Sequence, residues 1–258
     1  MLRTRAGLTA LLALVFALNW AETWGETRAQ QLWGFGLERG EKVAGAQHEL
    51  EDPFLSFEFH DVTNRVAAYG YSIAYFFLFP LLAVVVGVAM ARRDDPRPYR
   101  VLALAAVINY VASLGFYIFY PAPERWAYPE SAAVLLSDRM WFRLIEFLRP
   151  WSGLDNCFPS FHVSLTVVLV LTCYLFHSRL RHAAAAVGAT IVLSTFVLGI
   201  HWVADIAAGL AAGVGGAFLA RWLTPGVYVM MADAATAGAG PAPGRASGRR
   251  PAVMAAAR

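Results

Sequence analysis

The segments Phe158-Pro159-Ser160-Phe161-His162 and Gly199-Ile200-His201-Trp202-Val203-Ala204-Asp205 bring two imidazoles and a carboxylate into an otherwise apolar stretch of chain. His201 and Asp205 stand four positions apart, so on a helix they share one face; the carboxylate can then hold the Nδ1 proton and leave the other ring nitrogen free to attack. An ionisable group inside a spanning helix costs about 2.5 to 3.5 kcal/mol on insertion scales, so Asp205 needs a partner or a purpose. The chemistry this set suits is phosphoryl transfer. His201 is the candidate nucleophile, Asp205 its orienting acid, and His162 the acid and base that protonates a departing alkoxide and then takes a proton from water or an alcohol. Ser160 and the unpaired amides opening its helix offer donors to phosphate oxygens, with Pro159 expected at the first helical position. A transferring phosphoryl group also calls for a nearby cation. Arg125, within Tyr120-Pro121-Ala122-Pro123-Glu124-Arg125-Trp126, is the first candidate, Arg149 before Pro150 the second, and Arg139 and Arg143 stand behind them. Asp155 and Asn156 read as loop-shaping residues, and His48, His60, His177 and His182 as surface or interfacial ones.

Positioning these groups is the task of a membrane bundle. Of the 258 residues 58% are hydrophobic and 15% charged, and the apolar ones fall in runs near 6–24, 69–91, 101–120, 159–176, 183–200 and 202–223. Each run is close to the roughly 20 residues that cross a hydrocarbon core of about 30 Å. The expected fold is all-α: a polytopic membrane helical bundle of about six transmembrane helices with interfacial helices on its outer face. The stretch 187–223 is about twice one span and should form a hairpin turning near Gly199 to Trp202. The expected organisation is an N-terminal transmembrane anchor (1–25) rather than a cleaved signal peptide, an extracytoplasmic interfacial segment (26–68), a catalytic membrane core (69–225) and a disordered cytoplasmic tail (226–258). Pro53 to His60 and Ser131 to Leu148 read as amphipathic surface segments, and Trp126, Trp141, Trp151 and Trp202 as an interfacial aromatic belt.

With both termini cytoplasmic, 13 of the 21 Lys and Arg lie inside, including those of the compact loops Ala91-Arg92-Arg93-Asp94-Asp95-Pro96-Arg97 and Ser178-Arg179-Leu180-Arg181. The fourth span then enters from the extracytoplasmic side at Pro159, and the hairpin turns on that same side, so His162, His201 and Asp205 meet on one leaflet of the cell (inner) membrane. The net charge of +3 follows from this orientation and gives no reason to invoke nucleic acid. Cys157 and Cys173 would sit roughly 24 Å apart on one helix, too far for a disulfide, and read as small apolar fillers.

At these residues the chain resembles the type 2 phosphatidic acid phosphatase superfamily. Phe158-Pro159-Ser160-Phe161-His162 stands where that family has a P-S-x-H segment, and His201-Trp202-Val203-Ala204-Asp205, followed by Ile206-Ala207-Ala208-Gly209, is similar to its H-x-x-x-D helix. The resemblance covers roughly residues 60 to 223. It implies a phosphohistidine at His201, an orienting acid at Asp205, a leaving-group acid at His162, and no metal or other cofactor. Thr195 stands where the family has an arginine six residues before the nucleophile, and Phe142 where a lysine precedes Arg149-Pro150. In these departures, and in its proline-rich exit from the third span, the chain is more similar to the inositol phosphotransferase branch, typified by inositol phosphorylceramide synthase. The implied partners are a membrane lipid substrate and either water or an alcohol such as inositol as acceptor; oligomeric state stays open. Two other classes compete: a metal-dependent membrane hydrolase using His162, His201 and Asp205 as ligands, and a non-enzymatic transporter or scaffold in which Asp205 is a relay or structural group.

Overall fold

The computed structural model describes residues 5–34, 36–55, 65–136 and 156–224. Arg139, Arg143, Arg149, Trp141, Trp151, Asp155, His60, most of the second surface segment and the tail lie outside these residues. The described part of the chain is all-α. Its elements are α1 (Arg5–Trp33), α2 (Leu37–Leu55), α3 (Arg65–Ile73), one π-helical turn (Ala74–Leu78) leading into α4 (Phe79–Ala91), α5 (Arg97–Phe119), α6 (Phe161–Leu175), α7 (Arg181–Val197) and α8 (Val203–Trp222). Pro98 stands in the first turn of α5, where a missing amide proton costs nothing, while Pro80 follows the π turn inside a helix that continues through it. Ser160 caps α6, accepting the Val163 amide.

Among the described residues four segments are long and apolar enough to cross a membrane: Arg5–Gly25 of α1, Val66–Ala91 across the π turn, α5 and α8. Helices α6 and α7 are apolar but shorter, 15 and 17 residues, about 22 and 26 Å at 1.5 Å per residue. Large apolar side chains such as Leu14, Leu81, Val111 and Phe218 are exposed, as a lipid-facing surface requires. The six expected runs and the hairpin thus correspond to observed helices. The hairpin turn falls at Leu198 to Trp202, where Gly199 takes φ of 75°, a left-handed conformation that suits glycine.

Helix α6 is the centre of the bundle, with α4, α5, α7 and α8 packed around it and α1 against α5. Without a hydrophobic drive in lipid, close packing depends on small residues. A Cβ at Gly209 of α8 would stand 2.6 Å from the Ser160 carbonyl oxygen, and one at Gly213 would stand 2.6 Å from that of Ser164. These two glycines let the α8 backbone lie against the start of α6, which brings Asp205 beside Ser160: the Ser160 amide donates to the Asp205 carbonyl at 3.2 Å.

The basic segments gather at one end. The Arg5 guanidinium donates to the Arg93 carbonyl and, at 3.4 Å, to that of Asp94, while Arg93 Nη1 donates to the Phe176 carbonyl at 2.8 Å. Because Phe176 follows the last residue of α6, the first turn of α6 lies at the opposite end. Here α2 departs from a freely resting surface helix. Gly40, Ala44, Gln47 and Glu51, spaced four, three and four residues apart, form one buried stripe. A Cβ at Gly40 would fall 1.9 Å from the Pro121 carbonyl oxygen, so that glycine is what allows the approach. Beneath this helix Trp202 has no exposed surface and packs with Ala44, Ala122 and Cys157; it is a core residue, not part of an aromatic belt.

Replacing both Gly209 and Gly213 by alanine should lower thermal stability in detergent by several degrees, since over-packing costs about 1 to 3 kcal/mol. Gly215→Ala meets no atom within 4 Å and should be neutral or slightly stabilising. Equal effects at all three positions would refute the close-packed α6–α8 seam.

Candidate active site

His201 sits on the turn between α7 and α8, and its backbone is pinned from two sides. The Leu198, Gly199 and Ile200 carbonyls accept from the Leu136, Trp126 and Arg125 amides at 3.3, 3.0 and 2.9 Å, while the His201 amide donates to the Thr195 carbonyl at 3.0 Å. Thr195, standing where an arginine was expected on family grounds, is buried and serves this turn through its backbone. Four residues on, Asp205 is the third residue of α8. One of its oxygens, Oδ2, accepts the Trp202 amide at 2.9 Å, the reach-back half of a capping box.

Around the His201 ring, Nδ1 lies 3.4 Å from Asp205 Oδ2 and 3.1 Å from Cys157 Sγ, and Nε2 lies 3.0 Å from Ser160 Oγ. A carboxylate beside Nδ1 favours the tautomer with its proton there, so the Ser160 hydroxyl donates to Nε2. The Asp205–His201 contact is at the long end of the hydrogen-bond range, a looseness common in catalytic contacts before substrate arrives. Asp205 Oδ1 is occupied separately, accepting Gln47 Nε2 at 2.6 Å.

His162 belongs to the first turn of α6. Its ring stacks on Tyr75 with centroids 4.5 Å apart, lies 4.4 Å from the Phe79 ring, and has Nδ1 3.4 Å from the Tyr75 hydroxyl. Pro159 is outside the helix, its carbonyl taken by the Tyr117 hydroxyl at 2.8 Å, which corrects the expectation of proline at the first helical position; Ser160, with its side-chain acceptor, is the cap. His162 and His201 both line one cavity of about 580 Å³ between α1, α4, α5 and α6. Its polar end carries the two histidines, Cys157, Asn156 and Glu124, and it continues along α6 past Leu165 to Leu169, flanked by Leu12 and Val84.

Arg125 does not line this cavity. Its guanidinium lies 5.6 Å from the Trp202 ring centroid and 5.7 Å from that of Phe196, and burial holds its pKa below the ordinary arginine value, partly offset by the charge of Glu51. Among the described residues no lysine or arginine lines the cavity. The Ser160 hydroxyl is the donor at His201 Nε2, and it caps the N-terminus of α6, a position that suits an anion.

Several residues at the site were not legible from motifs. Cys157, read as a filler, has its sulfur on His201 Nδ1; its place three residues before Ser160 was the available signal. Asn156 donates to Glu22 at 3.1 Å and so ties α1 to the cavity wall. His48 packs its ring toward Tyr128 and Trp202 at 5.8 and 6.3 Å. Gln47 and Glu51 gave no signal beyond a polar, amphipathic segment. One metal-ligating set exists among the described residues: donor atoms of Cys157, His201 and Asp205 lie within 4.8 Å of one another, a sulfur, nitrogen and oxygen combination suited to zinc. It includes Cys157 in place of His162, and a metal there would displace the Nδ1 proton that Asp205 faces.

A sequence model of the PAP2 superfamily matches residues 52–219, about two thirds of the chain. The chain belongs to the PAP2 superfamily. The matched region contains His162, His201, Asp205, Ser160 and Arg125, and the PAP2 membership makes the chain a phosphatase or phosphotransferase of that type. Neither the curated proteins nor the solved structures give a match.

Glu51 ties the PAP2 core to α2, accepting the Ala204 amide at 2.9 Å, and burial raises its carboxyl pKa above the ordinary 4.5 despite backbone hydrogen bonds that oppose the shift. A raised folded-state pKa contributes stability that is present below about 4.5 and lost as pH rises through the folded value. Glu51→Gln keeps an acceptor for the Ala204 amide and removes the titration. The difference in Tm between wild type and this variant should therefore fall as pH rises past 4.5 and then level off. A pH-independent difference would contradict the assignment.

Proposed function

We propose that this PAP2 chain is a metal-independent membrane lipid phosphatase or phosphotransferase that works through a phosphohistidine at His201 on the extracytoplasmic face. The observation that carries the reading is the His201 ring itself. One nitrogen faces Asp205, the other faces a hydroxyl donor at a helix N-terminus, and the residue lines the same cavity as His162. His201 Nε2 attacks phosphorus, the bond from phosphorus to the lipid oxygen breaks, and His162 gives that oxygen its proton. Asp205 stabilises the positive charge that forms on the ring. Water or an alcohol then attacks phosphorus, His162 takes its proton, and the bond from phosphorus to nitrogen breaks to release phosphate or a new phosphate ester. Ser160 and the α6 amides hold the phosphate oxygens, with Arg125 and Arg149 as cationic candidates.

The lipid class is supported by the cavity, whose polar end meets the histidines and whose apolar length along α6 suits an acyl or prenyl chain. Thr195 in place of arginine and the proline-rich segment before Arg125 favour the inositol phosphotransferase branch, with an alcohol acceptor. The positive-inside distribution puts the basic end in the cytoplasm with both termini, and hence the site on the far side. On this reading 1–25 is the anchor, 26–68 an extracytoplasmic segment and 69–225 the catalytic core. A second reading arises because Ser160, His201 and Asp205 also stand in the order of a serine nucleophile, its base and the orienting acid. Against it stand the cap that Ser160 Oγ makes to the Val163 amide and the PAP2 membership of the chain, which favours a histidine nucleophile.

Purified protein given a panel of lipid phosphates and phospholipids, with and without inositol, should yield a dephosphorylated or transphosphorylated lipid by mass spectrometry. His201→Ala should abolish turnover, and Asp205→Asn should lower kcat by about 10³ to 10⁴. His162→Ala should lose about 10² to 10⁴ with alkoxide leaving groups, and far less with p-nitrophenyl phosphate, whose leaving group needs no proton. Activity should survive EDTA and fall with vanadate. Turnover by His201→Ala would end the phosphohistidine reading, and labelling of Ser160 by a fluorophosphonate would favour the serine one. A cysteine introduced next to Trp126 should be labelled from outside intact cells; protection there would reverse the topology.

A further inference from the structure

We propose that Gln47 is a positioning residue for the reaction: its amide fixes the Asp205 carboxylate, and through it the imidazole of His201. The inference rests on the phosphohistidine reading above. Asp205 has no exposed surface, and its two oxygens are met from different elements. Oδ2 is shared between the Trp202 amide at 2.9 Å and His201 Nδ1 at 3.4 Å, whereas Oδ1 takes the Gln47 amide at 2.6 Å. The Gln47 bond is the shortest of the three, and it comes from a residue that is itself buried.

The orientation of the Gln47 side chain is dictated by its partner, because only the NH₂ group can face a carboxylate oxygen. Its own Oε1 is consequently buried without a hydrogen-bond partner among the described residues. A buried acceptor left unmet calls for an explanation, and here the explanation is that the donor is committed to Asp205. A neutral donor also suits the chemistry better than a cation would. As His201 attacks phosphorus its ring becomes positive, and Asp205 must keep its negative charge available for that ring; an amide holds the carboxylate in place without neutralising it.

Helix α2 is built to deliver this group. Gly40 and Ala44 bring the helix against Pro121 and Ala122, and one turn beyond Gln47 the Glu51 carboxylate accepts the Ala204 amide at 2.9 Å. Two side chains of one face thus clasp the first turn of α8. Gln47 precedes the matched region 52–219, so this contact comes from outside the part of the chain that defines the family, and it does not line the cavity. Toward the cavity that holds His162 and His201 it therefore acts through Asp205.

The test uses the full-length protein in detergent with phosphatidic acid in mixed micelles. Gln47→Met keeps the length and removes the donor; Gln47→Lys keeps a donor. The methionine variant should lose about ten-fold or more in kcat with KM within about two-fold of wild type, because an orphaned Asp205 oxygen disturbs the transition state and not lipid binding. The lysine variant should recover part of that kcat. Wild-type kcat in Gln47→Met, or equal losses of kcat, KM and Tm in both variants, would overturn the proposal, the second outcome leaving a purely structural clasp. His201→Ala in the same assay separates the two levels: if it is inactive while Gln47→Met is normal, only this inference fails, and if it is active the underlying reading fails.

Discussion

A carboxylate without exposed surface, three residues into a helix in an apolar bundle, is the constraint around which this protein is arranged. Among the described residues no lysine or arginine bonds Asp205; it is met by the Gln47 amide, the Trp202 amide and the His201 ring. Taking an ion out of water costs several kcal/mol even after relaxation, and leaving any of its hydrogen bonds unmade adds about 1 to 3 kcal/mol or more. Placement at the N-terminus of α8 supplies part of the compensation, since the unpaired amides there carry partial positive charge. The remainder has to be brought in, which gives α2, the Trp202 core and the pinned hairpin turn one purpose in common.

The same constraint explains the close seam between α6 and α8. For Ser160 to reach His201 Nε2, the cap of α6 must stand beside the first turn of α8, and a side chain at Gly209 would meet the Ser160 carbonyl before that distance was reached. Packing and chemistry are therefore set by one surface. On its other side α6 turns His162 toward Tyr75 and Phe79, an apolar and aromatic wall that opens onto the long arm of the cavity. The polar site and the lipid-like space meet where these two faces of one helix turn join.

The spans and the hairpin were legible in the sequence because length and apolarity are local properties, and the His201–Asp205 pair was legible because a spacing of four residues has one helical meaning. Even the gathering of basic loops at one end followed from charge counting, as the Arg5 and Arg93 contacts bear out. What could not be read was tertiary. Gln47 and Glu51 occupy a polar helix whose buried stripe consists of small and hydrophilic residues, so its pattern is that of a surface helix, and only the approach at Gly40 converts it into a packed one. Trp202 looked interfacial because it sits at a span end; the helix that covers it comes from more than 150 positions earlier. Cys157 looked inert because a thiol has no sequence signature for its neighbour. The segment carrying Arg149 lies outside the described residues.

In the resting state His201 Nε2 is engaged by the Ser160 hydroxyl, and this bears on what the site will accept. On the phosphohistidine reading that nitrogen must be released before it can attack. A neutral hydrogen bond of this kind is worth about 1 kcal/mol net, so a substrate that offers the hydroxyl only an equivalent acceptor gains nothing by displacing it. A phosphate oxygen offers more, because hydrogen bonds to ionised groups are roughly twice as strong, and a helix N-terminus such as that of α6 favours an anion. When an anionic phosphoryl group arrives, the hydroxyl gains by turning from nitrogen to oxygen, and the nucleophile is uncovered by the same movement that grips the substrate. A neutral ester provides no such exchange. Selection for a charged phosphate is thus written into the resting hydrogen bond, with Asp205 keeping the ring in the tautomer for which the exchange works.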